Sequence, residues 1–461
     1  MQASFVVIGG GLSGLAAAIR LARYNENVLV LERHTRVGGL NSYYYRNNRL
    51  FETGLHAITN YADKAVRHAP INKLLRQLKI SRDEIGFHQQ IVSEVRFPEK
   101  SLLFSNDFNQ LVEEISTKFP SETDNFLRLV AFIDEANPFV NHSYKSARSV
   151  LSSYLKNPLL IDMLLCPILY YGSSWENDID FKQFVIMFRS LYQEGLFRPA
   201  GTIKNLLDLL VAKLDQYGGT LKLGTGVRNI ISQGEKIIGV TLENGEKILC
   251  KHLVSTIGLD ETRLLLGGKK DHHGGNRLSF VESIFLLDKR ARRNLPNNRT
   301  CIFYNKKTEF RFEQPRSSVS YDSGVISLPF NFRNLQTSLD SIEVRTTQLA
   351  NYQNWLSVSK DADIYEGMKR EHTHELCRQV EPIVGSFSDD ILFSDCFTPL
   401  TVERFTGKHG GAIYGSPRKV SDGMIGYDNL VLAGTDQGFL GIVGSMLSGV
   451  SMVNRHILSK L

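Results

Sequence analysis

The chain has 461 residues and is 42% hydrophobic, so it can bury a full core, and its length favours two domains over one. Its formal net charge of +6 suits an anionic cofactor or an acidic membrane surface, and is too weak and dispersed to indicate nucleic acid. The five cysteines lie far apart with no C-x-x-C pair, so we expect a reducing, cytoplasmic environment, no disulfide framework and no metal site.

The N-terminal region is predicted to begin with a βαβ unit. Residues 4–9 predict a buried strand, 12–24 an Ala/Leu-rich helix and 28–32 a second buried strand. After the first strand, glycines form G-x-G-x-x-G, a turn whose bare backbone allows close approach to a pyrophosphate. These glycines are Gly9, Gly11 and Gly14. The chain therefore opens as half of a Rossmann-like dinucleotide-binding domain.

Glu32 ends the second strand, where a carboxylate accepts hydrogen bonds from both hydroxyls of an adenosine ribose. A carboxylate there also repels a 2′-phosphate and disfavours NADP, although Arg33 beside it weakens that inference. Just beyond, Arg36-x-Gly38-Gly39 can wrap a second glycine turn around an extended dinucleotide, which NAD enzymes have little need of. An ordinary exposed loop is the alternative for this motif. The two motifs together favour FAD.

Residues 61–193 are predicted to be largely helical, without the period-two alternation of strands. We interpret them as an inserted cap or substrate region. Their longest apolar stretch, 158–172, contains Asp162 and Pro167 and is shorter than the roughly 20 apolar residues that a membrane span needs. No segment is therefore expected to cross a bilayer.

The cofactor domain is expected to resume near residue 200. Helical spacing over 203–214 is followed by strands at 220–223 and 227–232, a hairpin that turns at Asn244-Gly245 and a buried strand at 253–257. The hairpin's second strand, 247–250, is predicted to be separate from that buried strand.

A second sheet is predicted from apolar runs at 281–287, 300–304 and 325–329, followed by a helix at 364–380. The predicted fold class is α/β, with a Rossmann-like FAD-binding domain and a discontinuous substrate domain of mixed sheet and helical cap. The FAD-binding domain is assigned to 1–60, 200–260 and 420–461, and the substrate domain to 61–199 and 261–419.

The C-terminal region contains a second strand-to-helix junction. Residues 430–434 predict a strand, Thr435 and Asp436 follow it, and a glycine-punctuated segment then becomes a helix. The N-terminus of that helix is free for an anion or for the electron-rich edge of a ring.

Six segments of the chain resemble the phytoene desaturase, carotenoid isomerase and retinol saturase superfamily of FAD-dependent oxidoreductases. They are VVIGGGLSGLAAAIRLA, LERHTRVGG, FETGLHAIT, PAGTIKNLLDLLVAKL, TPLTVERFTGKHGGAIYG and LVLAGTDQGFLGIVGSMLSG. The resemblance covers both ends and is weak over 61–193. It departs from the family at Phe439-Leu440-Gly441, where members often carry Pro-Gly, and Asp436 is displaced by one position.

The resemblance implies a set of FAD contacts along both glycine turns and the C-terminal junction. Glu32 would bind the adenosine ribose, the backbone at Val227 the adenine, and Asp436 the ribityl chain. The full implied set is Gly9, Gly11, Leu12, Ser13, Gly14, Glu32, Arg33, Arg36, Gly38, Gly39, Gly54, Val227, Gly434, Asp436, Gly441 and Ile442.

The loop that resembles the retinol saturase type carries two candidate catalytic residues. His56 is expected near the flavin, where an imidazole can hydrogen-bond the ring or move a proton; a buried histidine satisfied by backbone is the alternative. Glu52 is either a general base or a carboxylate that fixes the loop. Two other histidine pairs are expected on the solvated surface rather than in a metal site: His272 with His273, and His372 with His374.

The cap's apolar side chains suit a hydrocarbon substrate, because flavin N5 exchanges a hydride while the protein supplies position and a dry tunnel. They either line such a tunnel, form a membrane-dipping face or pack as ordinary core. They are Leu164, Leu165, Ile168, Leu169, Tyr170, Tyr171, Trp175, Phe184, Met187 and Phe188. The resemblance implies desaturation, saturation or isomerisation of C=C bonds in a lipophilic isoprenoid or polyene, as in carotenoid biosynthesis. The apolar cap and the mild positive charge predict peripheral attachment to a membrane surface.

Two other functions remain open. A flavin amine oxidase shares the cofactor architecture but is expected to place an aromatic cage at the flavin, and Trp175 and Trp355 lie outside the C-terminal flavin segment. A non-enzymatic Rab escort-like carrier of prenylated proteins is similar in fold, but the intact Glu32 and glycine turns argue for a bound flavin. A redox-neutral isomerase that uses reduced flavin fits within the favoured family.

Overall fold

The computed structural model describes residues 2–24, 27–54, 57–139, 143–268, 277–335 and 341–460. Its strands are β1 (Gln2–Ile8), β2 (Val28–Leu31), β3 (Tyr43–Arg46), β4 (Arg49–Glu52), β5 (Phe87–Gln89), β6 (Ser93–Arg96), β7 (Ser101–Phe104), β8 (Phe197–Pro199), β9 (Thr220–Lys222), β10 (Val227–Gln233), β11 (Lys236–Leu242), β12 (Lys247–Ser255), β13 (Ser279–Asp288), β14 (Cys301–Asn305), β15 (Ser323–Ser327), β16 (Ser341–Ala350), β17 (Ile391–Phe397) and β18 (Leu430–Leu432).

Its α-helices include a run of five without an intervening strand, α4 to α8, and the 23-residue helix α12. They are α1 (Leu12–Ala22), α2 (Pro70–Leu78), α3 (Arg82–Ile85), α4 (Phe108–Lys118), α5 (Thr123–Glu135), α6 (Ala147–Tyr154), α7 (Pro158–Gly172), α8 (Phe181–Phe188), α9 (Ile203–Gln216), α10 (Leu259–Leu265), α11 (Tyr352–Val358), α12 (Ala362–Val384), α13 (Pro399–Thr406) and α14 (Gly441–His456). The predicted mixed α/β class is confirmed.

The first sheet is built from distant parts of the chain. Its strands run in the order β10-β11-β12-β1-β2-β9, and β18 pairs with β12. The pairs around β1 are parallel, whereas the β10-β11-β12 meander is antiparallel. Val6 and Val7 point to opposite faces of β1 and both are fully buried, because each face of this sheet carries a core. The β–α–β order that the sequence predicts at the N-terminus is present.

One predicted break in this sheet is wrong. The sequence predicts separate strands at 247–250 and 253–257, whereas β12 runs without interruption from Lys247 to Ser255. Its residues pair with β1 from Gln2 to Ile8, so the strand pairing continues across the polar residues Lys251 and His252. Those two side chains interrupt the apolar pattern without interrupting the strand.

The second sheet runs in the order β17-β13-β16-β15-β14-β6-β7. Two of its strands, β6 and β7, come from the region that the sequence predicts to be largely helical, and β16 and β17 are also unpredicted. Strands of four residues such as β6 are too short to show a period-two pattern. In β16 the pattern is hidden because Arg345, Thr346 and Gln348 are buried polar residues.

The apolar cap residues pack inside the protein, so a membrane-dipping face made from them is wrong. Helices α7 and α8 contribute to the largest core cluster, together with side chains from β7 and β14. Among the cap residues singled out from the sequence, Tyr171 and Trp175 are half-buried and the other eight are buried. Within the described residues, none of the helices combines the length and the apolarity needed to cross a membrane.

Candidate flavin site

The first glycine turn uses its three glycines for three different reasons. Gly9 has φ of +103°, a left-handed conformation that side chains disfavour. A Cβ on Gly14 would lie 1.9 Å from the Gly9 carbonyl oxygen, so α1 packs against the turn only with glycine there. A Cβ on Gly11 would meet no atom within 4 Å. Gly11 therefore borders open space at the N-terminus of α1.

That open space has the polar character of an anion site. The first turn of α1 leaves backbone N–H groups without helical partners, and the helix dipole favours negative charge there. Leu12 and Ser13 are both buried in this turn, and Ser13 Oγ has no hydrogen-bond partner among the described residues. An unsatisfied hydroxyl beside a glycine cradle fits the diphosphate of FAD.

Glu32 is held rigidly at the end of β2. Its Oε2 accepts from the Gly10 N–H at 2.7 Å and its Oε1 from the His34 N–H at 2.8 Å. The neighbouring strand is also fixed here, because the Thr225 N–H donates to the Glu32 carbonyl at 2.8 Å. Two residues later, Val227 begins β10. Glu32 and the backbone near Val227 thus lie on the same side of the turn, as an adenosine contact requires.

The second glycine turn lies directly against the first. The Gly38 N–H donates to the Gly10 carbonyl at 2.9 Å, and both Gly38 and Gly39 have positive φ. A Cβ on Gly39 would be 3.7 Å from Gly11 Cα. The two motifs that the sequence assigns to one dinucleotide therefore meet in space.

The two arginines predicted at this site differ in their surroundings. Arg33 donates to the Arg404 carbonyl at 2.9 Å, which turns its guanidinium toward α13. Arg36 is exposed, and its guanidinium carbon lies 5.7 Å from the centre of the Tyr43 ring. No carboxylate pairs with Arg36 among the described residues. Arg36 is thus the more available of the two for a phosphate.

The C-terminal junction reaches the same place from the other end of the chain. Gly434 follows β18 with φ of +98°, and a Cβ there would lie 3.7 Å from Ser13 Cβ. Gly441 begins α14 with φ of +72°, followed by the buried Ile442. Gly434 therefore lies beside the first turn of α1, and α14 packs against that turn at Gly449, where a Cβ would lie 2.1 Å from the Ser13 carbonyl oxygen.

Asp436 is committed to contacts within the protein. Its Oδ2 accepts from the Leu259 N–H at 2.6 Å and its Oδ1 from the Ser416 N–H at 2.7 Å. Burial raises the pKa of Asp436, but the lysines Lys408 and Lys419 and these N–H donors outweigh it and hold the pKa below its ordinary value. The observed role is to tie three loops together, and the expected ribityl contact stays a prediction.

The loop before residue 56 is shaped by its backbone. Gly54 has φ of +66°, and a Cβ there would lie 2.9 Å from the Leu40 carbonyl oxygen. That contact explains the glycine without a flavin, so its predicted cofactor contact also stays a prediction. His56, the candidate catalytic histidine, lies outside the described residues, as do His272 and His273.

Glu52 is held in a buried charge network, which favours the loop-fixing role over the general-base role. Its carboxylate accepts from Arg198 and from the Ile203 N–H. Its carbonyl accepts from Arg345 at 3.1 Å, and Arg345 is fully buried. Arg345 also lies 3.0 Å from Glu343. These contacts join the glycine-turn region to the second sheet.

His372 corrects the prediction of a solvated surface. It is 3% exposed, and its ring nitrogens lie 3.0 Å from Ser283 Oγ and 2.9 Å from Tyr321 Oη. Burial lowers the pKa of His372 to about 4. His374, by contrast, is exposed as predicted. Within the parts of the chain that are described, there is no group of three or more potential metal ligands.

Two tyrosines that the sequence did not single out for the flavin segment lie between the second sheet and the C-terminal junction. Tyr414, from the GGAIYG motif, donates to the Tyr170 carbonyl at 2.5 Å, and its ring centre is 6.1 Å from that of Phe280. Burial raises the pKa of Tyr171 and Tyr414, and the carboxylate of Glu282 raises both further. We call Tyr171 and Tyr414 the aromatic wall. The sequence signal for it is the position of Tyr414 inside a glycine-rich motif.

The cap closes directly onto the C-terminal junction. Leu440 immediately precedes α14, and its Cδ1 would lie 2.8 Å from a Cβ placed on Gly172 at the end of α7. The side chain of Met187, from α8, approaches the same point to 3.2 Å. The end of α7 and the side chain of Met187 from α8 therefore reach the segment that leads into α14.

Comparisons with known proteins agree with this arrangement. The profile of a family described as flavin containing amine oxidoreductase matches residues 12–271. The chain is 22% identical to prolycopene isomerase of Arabidopsis thaliana over 98% of this chain and 82% of that protein. It is 26% identical to 4,4'-diaponeurosporene oxygenase of Staphylococcus aureus over 62% of this chain and 61% of that protein.

Solved structures share the fold. An oxidoreductase from Methanosarcina mazei superposes with a TM-score of 0.69 at 16% identity, covering 98% of this chain and 100% of that one. A putrescine oxidase bound to putrescine gives a TM-score of 0.65 at 12% identity, with 99% of both chains covered. At these identities the likeness establishes the fold alone.

Proposed function

Because the chain belongs to the flavin-containing amine oxidoreductase family and is an FAD-dependent oxidoreductase, we propose that it acts on a lipophilic isoprenoid or polyene. The reaction would desaturate, saturate or isomerise C=C bonds. Support comes from the relatives named prolycopene isomerase and diaponeurosporene oxygenase. The observation that carries the proposal is the close approach of the Leu440 and Met187 side chains to Gly172, which brings the apolar cap to the C-terminal junction.

The proposed cofactor contacts follow the geometry of the turns. Gly9, Gly11, Ser13 and Gly14 would hold the diphosphate, and Glu32 the adenosine ribose. The segment at Val227 would line the adenine. The remaining proposed contacts are Leu12, Arg33, Arg36, Gly38, Gly39, Gly54, Gly434, Asp436, Gly441 and Ile442. The open space at Gly11 and the unsatisfied Ser13 hydroxyl support this assignment.

Bound FAD supplies an N5 position that accepts or donates a hydride. The protein's own residues orient the substrate and exclude water. The buried side chains of α7 and α8 give an extended hydrocarbon no polar partner, so alignment over the ring replaces acid or base assistance. His56 stays a proposed acid or base, whereas the observed contacts of Glu52 serve structure.

Two further proposals concern organisation and location. We divide the chain into an FAD-binding domain of 1–60, 200–260 and 420–461 and a substrate domain of 61–199 and 261–419; the two separate sheets support this division. We also propose peripheral attachment to a membrane, since a polyene partitions into lipid and the net charge of +6 favours anionic headgroups. Release by a high-salt or carbonate wash tests this attachment, and retention contradicts it.

Oxidation of an amine is the second candidate function. Tyr171 and Tyr414 supply aromatic rings near the C-terminal junction, and the carboxylate of Glu282 is close enough to raise the pKa of both. Aromatic faces with a nearby carboxylate attract an ammonium group. In an amine oxidase, this pair would serve as the aromatic cage that neither tryptophan supplies.

Mass spectrometry of material extracted from the purified protein tests the two candidates. The polyene proposal predicts an isoprenoid or polyene co-purifying with the wild type. Met187→Lys, which places a charge in the cap, should lose this material, whereas Glu282→Gln should keep it. Loss of an amine from Glu282→Gln, with no apolar ligand in the wild type, would support amine oxidation instead.

A further inference from the structure

Lys419 is a half-buried cation beside the C-terminal glycine turn. Its Nζ donates to the Tyr414 carbonyl at 2.5 Å. Its Cβ would lie 3.8 Å from a Cβ placed on Gly438, so the stem of the side chain runs over the turn. The backbone locks this position, because the Val420 N–H donates to the Asp436 carbonyl at 2.8 Å.

The charges around Lys419 leave it without an ion pair among the described residues. Asp436 is the nearest opposite charge, but its carboxylate accepts two backbone N–H bonds and lies 3.6 Å from Lys408 Nζ. Arg277 pairs with Asp260. Burial is the main cause that lowers the pKa of Lys419 to about 8; Asp436 opposes the shift, and Lys408 and Arg277 add to it.

Lys419 is half-buried, and its one hydrogen-bond partner among the described residues is a carbonyl. An ammonium partly withdrawn from water in this way is stabilised when an electron-rich group binds beside it. Lys419 stands between two parts of the proposed site. Gly438 belongs to the turn that leads into α14, and Tyr414 belongs to the aromatic wall of the substrate side. A ligand bound between Gly438 and Tyr414 would lie close to the ammonium group of Lys419.

We propose that Lys419 places its positive charge at the electron-rich edge of the flavin ring and thereby favours reduced over oxidised FAD. This inference rests on the proposed function only in requiring that FAD binds at the junction. Lys419 acts here as a positioning charge for the cofactor and needs no particular substrate.

The test is the midpoint potential of the reconstituted holoenzyme, measured without substrate by anaerobic equilibration with a redox dye. Lys419→Met should weaken the binding of reduced FAD about tenfold relative to oxidised FAD, a fall of about 30 mV for a two-electron couple. Lys419→Arg should retain most of the wild-type potential. Arg418→Met, which removes the adjacent exposed charge, is the matched control and should leave the potential unchanged.

The pH dependence gives a second readout on folded protein. The ammonium is charged below its pKa, so the difference between wild type and Lys419→Met should be full below pH 8 and shrink above it. Lys419→Gln serves in place of Lys419→Met if that variant does not fold. The other charged groups that act on the pKa of Lys419, and so affect this pH dependence, are Asp436, Lys408 and Arg277.

Two results would overturn the inference. Equal midpoint potentials in the wild type and Lys419→Met would show that the charge of Lys419 does not act on the flavin ring. An equal loss of affinity for oxidised FAD, reduced FAD and ADP would assign Lys419 to the diphosphate instead. Failure of the wild type to bind FAD would refute the proposed function itself, whereas normal potentials without polyene turnover would refute only its substrate.

Discussion

Replacing Glu52 by Gln should weaken folding rather than remove a catalytic base. Burial lowers the pKa of Arg345, but the carboxylates of Glu343, Glu52 and Glu282 outweigh it and raise that pKa above its ordinary value. Removing one partner from a buried ion pair costs about 3–5 kcal/mol, because it leaves charge uncompensated. The variant weakens the buried ion pair of Glu52 with Arg198, whereas Glu343 and Glu282 remain beside Arg345, at 3.0 and 3.5 Å, so we expect about 3 kcal/mol.

Urea unfolding of the apoprotein measures this cost, and the turnover of folded holoenzyme measures catalysis separately. Glu52→Gln should lower the free energy of unfolding while the folded fraction keeps most of its turnover. Glu343→Gln is the control, because its side chain is 20% exposed and its loss should cost less. Unchanged stability with lost turnover would refute the structural role and restore Glu52 as a general base.

Three further predictions follow from the site and the core. Glu32→Gln should weaken FAD binding by about 1.5–3 kcal/mol, measured by flavin fluorescence; unchanged affinity would place the ribose elsewhere. Gly11→Ala should leave the stability of the apoprotein intact and weaken FAD binding, whereas Gly14→Ala should destabilise the apoprotein; the opposite pattern in urea unfolding would contradict the roles of the turn. Burial lowers the pKa of His372 from its ordinary 6.5 to about 4 in the folded protein, so its contribution to stability is full above pH 6.5 and about 3 kcal/mol is lost as the pH falls to 4. His372→Gln should flatten the pH dependence of the free energy of unfolding between pH 6.5 and 4. An unchanged dependence would show that His372 is not its cause.

The cofactor end of the fold could be predicted because its signals are local. Gly9 adopts a positive φ in the first turn and the adjacent Gly38 and Gly39 adopt one in the second, and the spacing of G-x-G-x-x-G fixes the first turn and the start of α1. Glu32 follows α1 directly at the end of β2. Their meeting with Gly434 was predicted from the resemblance rather than from any local pattern.

The parts that escaped prediction depend on partners distant in the sequence. His372 resembles a surface histidine among glutamates, yet Ser283 and Tyr321 satisfy both ring nitrogens inside the core. Arg345 interrupts the apolar pattern of β16, yet Glu52 lies across the fold to receive it. Polar residues that are buried in pairs look exposed until the tertiary structure brings the partners together.

Product analysis is the decisive test of the proposed reaction on a polyene. The FAD-loaded protein is incubated with an isoprenoid polyene in lipid vesicles, with flavin oxidised in one arm and reduced in another, and the polyene is separated and weighed by mass spectrometry. Our account predicts a two-hydrogen change in mass, or an unchanged mass with altered double-bond geometry, and neither in protein without FAD. An unaltered polyene in both arms, together with peroxide release from a primary amine, would contradict it.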